Sequence, residues 1–172
     1  MGEITNYEDV AGYPLDDETV ERLFAEQSEC SVVWTTRDGW PVGVMHRFVW
    51  RDRRIWVTCA DHRKRVSALR RDGRSCVIVS SEGTSLGRDK TITFKTVATV
   101  HESADVKLWF YPALSEKLNP GRPDRAAGFQ AMLDSEGRVV IELEPVKTIS
   151  YDGAKLHAAI AASRAQTHQA QQ

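Results

Sequence analysis

The side chains best suited to chemistry lie between positions 58 and 74, in TCADHRKRVSALRRDGR. Arg63, Lys64 and Arg65 follow His62 directly, and Thr58 stands a few residues before them. Asp61 reads as the N-cap of a short helix, Val66 and Leu69 as its inward stripe, and Gly73 as its close. That reading puts all three bases in the first turn. Free N–H groups and the positive end of the dipole already favour anions at a helix start, so bases there oppose the helix itself. They suit an external anion, and a phosphate is the natural candidate. The plain alternative is a solvated helix face, which most basic runs on helices are. Locality favours the ligand. Between Arg47 and Arg74 ten Arg or Lys stand against only Asp52, Asp61 and Asp72, in a chain whose net charge is −1. A field focused on one ligand needs that concentration.

Dedicated nucleophiles are not in view. No HExxH or Walker A pattern occurs, and the one GxSxG, at residues 83–87, falls in a polar loop between two expected strands and not at the strand-to-helix elbow that exposes a nucleophile. Cys30, Cys59 and Cys76 show no CxxC or Cys/His spacing, fall at or inside expected strands, and read as reduced apolar side chains with no zinc site.

The elements around the basic segment follow from periodicity. A helix is expected from Asp16 or Asp17 to about residue 27, with Val20, Leu23 and Phe24 inward. Residues 31–36 are β-branched and aromatic, Arg37-Asp38-Gly39 signals a hairpin, and residues 40–50 form a long strand. On that strand Val42, Val44, His46, Phe48 and Trp50 share one face, and Met45, Arg47 and Val49 the other. Asp52-Arg53 turns into a third strand over 54–59. Strands follow at 75–81 and 91–100, separated by a polar loop at 82–89. A helix over 104–116, capped by Ser103 and broken near Pro112, precedes a second over 124–134. A sixth strand covers 139–143 and carries on past Pro145 to about 150; residues 152–164 read as helical, with 1–15 irregular and 165–172 a frayed tail. Short strands joined by hairpins, with helices at the joins, indicate a mostly β, α+β architecture: a small six-stranded antiparallel barrel with peripheral helices, as one domain over 1–172.

Composition fits that class, with 41% hydrophobic and 27% charged residues in 172. No apolar run approaches the roughly 20 residues that span a bilayer. The first 21 residues hold seven acids and no base, unlike a secretory leader, so a cytoplasmic protein is expected. Near-neutral charge also argues against a nucleic-acid partner.

The order helix, strand, DGWPVGV hairpin, strand, then VTCADHRKRVSALRRD, strand and further long strand resembles the pyridoxamine 5′-phosphate oxidase-like family, the FMN-binding split barrels. The segments 34–44, 56–74, 76–81 and 145–153 carry it, and the likeness is greatest to members that use FMN or the deazaflavin coenzyme F-420. The resemblance implies that Thr58, Arg63, Lys64 and Arg65 hold a cofactor phosphate, Arg65 standing where the family has Lys. It implies that Val44, Met45, His46 and Arg47 line the cofactor ring, and that Ser80 and Ser81 add polar contacts. His46 has the alternative of simple burial beside Val44 and Phe48. Lys95 reads as solvent-facing rather than as a site cation, and Trp109 and Tyr111 as aromatics of a dimer seam rather than covers for the ring. The family is homodimeric, with the cofactor at the subunit interface.

The expected function is hydride transfer between FMN or F-420 and a small molecule, the ring supplying the redox chemistry. Pyridoxamine-phosphate oxidation itself is disfavoured, because the C-terminal Ser163-Arg164-Ala165 stretch offers little for a substrate phosphate. Arg47, Arg51, Arg53 and Arg54 could line a groove for the anionic tail of F-420, or simply sit in water. A non-catalytic carrier or sensor is the rival class. Haem degradation is a further reading, with His46, His62 and His101 as its candidate ligands.

Overall fold

The computed structural model describes residues 10–170. Among them six strands form: β1 (Glu29–Thr35), β2 (Pro41–Arg51), β3 (Arg54–Ala60), β4 (Arg74–Ser80), β5 (Lys90–His101) and β6 (Arg138–Asp152). The helices are α1 (Asp17–Glu26), α2 (Lys64–Arg71), α3 (Ala104–Leu118), α4 (Pro123–Leu133) and α5 (Gly153–Ala170). The strands close into an antiparallel barrel in the order β1-β2-β3-β6-β5-β4. Asp52 and Arg53 both take positive φ (53° and 57°), the primed turn that lets a two-residue loop follow the twist of β2 and β3.

Alternation decides what fills the barrel. Cys30, Val32 and Trp34 face inward from β1, Phe48 from β2, Ile55 and Val57 from β3, Val77 and Val79 from β4, Ile92 and Phe94 from β5, and Ile141 and Leu143 from β6. Helix α1 closes one end with Leu23 and Phe24, the latter stacked on Trp50 at 4.2 Å. Its N-cap is Asp16, whose Oδ1 accepts from Thr19 N at 2.8 Å. Helix α2 closes the other end with Val66 and Leu69. The hairpin of α3 and α4 lies outside the barrel, where Phe110, Tyr111, Leu114 and Leu133 bury a second cluster against Val49, Trp56 and Val140.

Several expectations are corrected. Asp61 is not the cap of α2; Arg63 holds that position without a side-chain bond, and Asp61 instead pairs with Arg70 at 2.6 Å. Gly73 does not close α2 with a left-handed residue. It is needed because a Cβ there would lie 2.9 Å from the Ala98 carbonyl on β5. Helix α3 runs unbroken through Pro112, which is exposed. Helix α5 continues to Ala170 instead of fraying at 165, in keeping with its Ala, Gln and Arg content. Trp109 packs edge-on against Trp56 at 4.9 Å and Tyr111 is buried, so both rings pack in this chain's own second cluster. Residues 1–9 and 171–172, read as irregular and frayed, lie outside the described residues.

Candidate functional site

Where β2 and β3 pass the start of α2, the barrel wall opens into a cavity of about 310 Å³. Four basic side chains surround it: Arg47 from β2, Arg63 and Arg65 from the start of α2, and Arg138 from the first position of β6. Met45, His46, Thr58 and Cys59 complete the strand side, while Leu114, Phe129, Met132 and Leu133 give an apolar wall from α3 and α4. Among the described residues no carboxylate lines it.

The arginines differ in how free they are. Arg47 is committed outward, donating to Ser28 Oγ at 2.7 Å and pairing with Glu29 at 3.1 Å. Arg138 Nε donates to Ser135 Oγ at 3.2 Å, leaving the terminal nitrogens of its fork. Arg63 and Arg65 have no acidic partner among the described residues, and Arg65 Nε is buried without any hydrogen bond. His46 faces the barrel interior, opposite Cys30 on β1. Burial first, and then the Arg65 charge, push its imidazole down to about 4. Cys59 is buried beside the same guanidinium. Burial raises its thiol and outweighs the lowering by Arg65, so it is a poor nucleophile.

Six of the ten residues named from the resemblance therefore meet here: Met45, His46, Arg47, Thr58, Arg63 and Arg65. The other four do not. Val44 packs against the barrel core, and Lys64 is exposed on α2. Ser80 and Ser81 lie where β4 ends, beside α1. There Ser80 O accepts from Gln27 Nε2 at 2.9 Å, and Ser81 Oγ donates to Gly87 O at 2.6 Å and accepts from Lys90 N at 3.2 Å. Those serines hold the β4–β5 loop. Thr58 is in the cavity, yet its hydroxyl already donates to Val139 O at 2.7 Å. Arg138 went unnoticed in the sequence because only the β3–β6 pairing, Ala60 opposite Arg138, brings it in. The apolar wall from α3 and α4 carries no local signal at all.

Of the candidate haem ligands, His46 is buried on the inner face of β2, His62 is exposed before α2, and His101 is held by Glu142 at 2.8 Å.

No protein-family model and no curated protein matches this chain. Solved structures do. The conserved hypothetical protein Rv2991 from Mycobacterium tuberculosis superposes with a TM-score of 0.73 at 18% identity, over 86% of this chain and 91% of that one. A protein assigned as a pyridoxamine 5′-phosphate oxidase from Listeria innocua gives 0.59 at 14% identity, over 77% and 95%. An F420 reductase gives 0.55 at 15% identity, over 75% and 94%. The fold of this chain, a closed six-stranded antiparallel barrel with its helices outside, is that of the pyridoxamine 5′-phosphate oxidase-like split barrels.

Proposed function

We propose that the cavity holds the phosphate end of FMN or of the deazaflavin F-420, and that the protein is an oxidoreductase acting on a small molecule. One observation carries this reading: among the described residues Arg63 and Arg65 have no acidic partner at a cavity lined by no carboxylate, and Arg65 Nε is shut away from water with no hydrogen bond, the guanidinium's side-chain contact being the Cys59 thiol. Buried donors are costly to leave unmade, and a phosphate oxygen satisfies a guanidinium in the geometry its fork prefers. When bound, the ring supplies two-electron chemistry of its own. The chain's part is then placement: Arg63, Arg65 and Arg138 hold charge, and Phe129 and Met132 exclude water from one side. Two of the structural neighbours bear the names of an oxidase and an F420 reductase, which are consistent with either cofactor.

A second copy of the chain completes the site in this reading. Met45, Ser31, Ile78, Thr93 and Ile149 form one row across five strands on the outer face of the barrel. Met45, Ile78 and Ile149 are exposed there, with a further apolar hollow of about 580 Å³ near Val33, Cys76, Val97 and Val146. Met45 belongs to both this row and the cavity, so a partner seated on the row would border the cofactor.

The test is a side-by-side titration of the purified protein with FMN and with F-420, read by tryptophan quenching. One cofactor should bind, and Arg65→Ala should weaken it at least about tenfold, the worth of one charge-assisted contact. If neither binds below millimolar concentration, the oxidoreductase reading fails. Binding without reoxidation of the reduced cofactor by added acceptors would leave a carrier or sensor.

A further inference from the structure

Beneath the basic rim two polar groups are taken out of water and given no partner. His46 is 7% exposed, and its Nε2 is buried with no hydrogen bond. Arg65 Nε is in the same condition. Both line the one cavity, the imidazole from β2 and the guanidinium from α2. Buried polar atoms in folded proteins are almost always bonded, so two orphans lining one cavity point to something that sits in it. The surroundings say what charge it has. Cys30 is the cross-strand neighbour of His46 on β1, with Lys117 of α3 acting on that thiol from behind. Cys59 flanks it on β3, and Arg63 of α2 and Arg138 of β6 stand at the mouth. Arg47, next along β2, is spent on Ser28 and Glu29. From α4 come only Phe129, Met132 and Leu133. Glu29 of β1 acts on the same thiol but pairs with Arg47, and among the described residues every charged side chain that lines the cavity is basic.

We propose that His46 Nε2 and Arg65 Nε form a seat for one oxygen of an oxyanion, and that filling the seat makes His46 easier to protonate, so that it takes up a proton in mildly acidic solution. The inference rests on the reading that the cavity binds an anionic group, and adds the residue and the proton that accompany it. The oxygen accepts from both N–H groups. Its negative charge offsets that of Arg65, which in the empty cavity helps keep the imidazole neutral. The proton comes from solvent onto the ring nitrogen that lacked one, and no bond is broken. A water molecule in the seat would satisfy the same two groups without any proton uptake, so counting the proton separates the two occupants.

Sulfate is the probe, because it stays fully charged across the pH range of interest and contributes no titration of its own. The whole protein is titrated with sodium sulfate at constant ionic strength, while imidazole nitrogen–proton spectra follow the histidines and His46→Phe identifies the signals of His46. Sulfate should shift those signals and raise the midpoint of their titration by roughly one to two pH units, the range an adjacent opposite charge commands. Sulfate binding should then tighten up to about tenfold between pH 7 and pH 5. Arg65→Lys keeps the charge and loses the Nε donor, and should weaken sulfate several-fold. It serves as the control even if His46→Phe folds poorly. Sulfate that leaves the His46 signals unmoved, binds equally at both pH values, or does not bind overturns the seat. FMN binding with His46 unmoved also overturns it while leaving the cofactor reading intact. Sulfate seated as described with no binding of FMN or F-420 upholds the seat and overturns that reading.

Discussion

In the ligand-free protein, protons compete with folding at His46. Its folded imidazole titrates near 4, below the ordinary 6.5, chiefly through burial. The unfolded chain therefore binds a proton between pH 6.5 and 4 that the folded chain refuses, and stability rises with pH across that window. The full effect is on the order of 3 kcal/mol, at about 1.4 kcal/mol per pH unit separating the two midpoints. Urea midpoints should fall steeply from pH 6.5 to 4, and His46→Phe should remove most of that slope. A variant as acid-sensitive as the parent would mean that other groups set it. At this scale the sequence was informative about charge and less so about direction. Arg63 and Arg65 could be singled out because ten bases crowd one segment. The fate of the Thr58 and Ser81 hydroxyls could not, because each donates locally in a bond set by strand pairing or loop closure.

Helix α2 shows how an element is held where a ligand needs it. Its N-terminus carries no side-chain cap, and its position comes instead from Val66 and Leu69 inside the barrel and from the close approach of Gly73 to β5. Ala98 N donates to Gly73 O at 2.7 Å, which ties the helix exit to that strand. Gly73→Ala would drive a methyl group to 2.9 Å from the Ala98 carbonyl, so one of the two backbones must move. Destabilisation of about 1–3 kcal/mol is expected by chemical denaturation, with weaker cofactor or sulfate binding as α2 shifts. An unchanged midpoint would show that β5 gives way freely. Hairpins were legible here because turn residues are local: Asp52-Arg53 and Gly39 stand where the chain reverses. The cap of α2 was misread because Asp61 had two possible uses, and an Arg70 guanidinium one face away won it. The persistence of α3 past Pro112 was hidden because its packing against β2 and β3 overrides local propensity.

At the scale of the molecule, the apolar row on the outer face of β2, β1, β4, β5 and β6 is the surface we assign to a second copy. Ile78 lies near its middle, exposed, and far in sequence from the basic cavity. Ile78→Glu should convert a dimer to monomer in sedimentation velocity without unfolding the barrel, since the side chain already points to solvent. A parent protein that is monomeric at tens of micromolar would remove the assignment. The alternation of the strands made this face readable in outline, and Met45 was placed opposite His46 from periodicity. Which outward rows align could not be read, because that depends on register between strands far apart in the chain.

Register has a further consequence through β6. This strand pairs with β3 on one side and β5 on the other, and it is the last of the six to be made. Until a ribosome has released the chain beyond Asp152, β3 and β5 each present a bare hydrogen-bonding edge, and the interior residues of both are wet. The finished barrel has no edge to offer a neighbour. The growing chain has two. The hazard of misassembly for this protein is thus concentrated in the seconds of synthesis, between the exit of β5 and the exit of β6, when the α3–α4 hairpin is the only part of the chain being added.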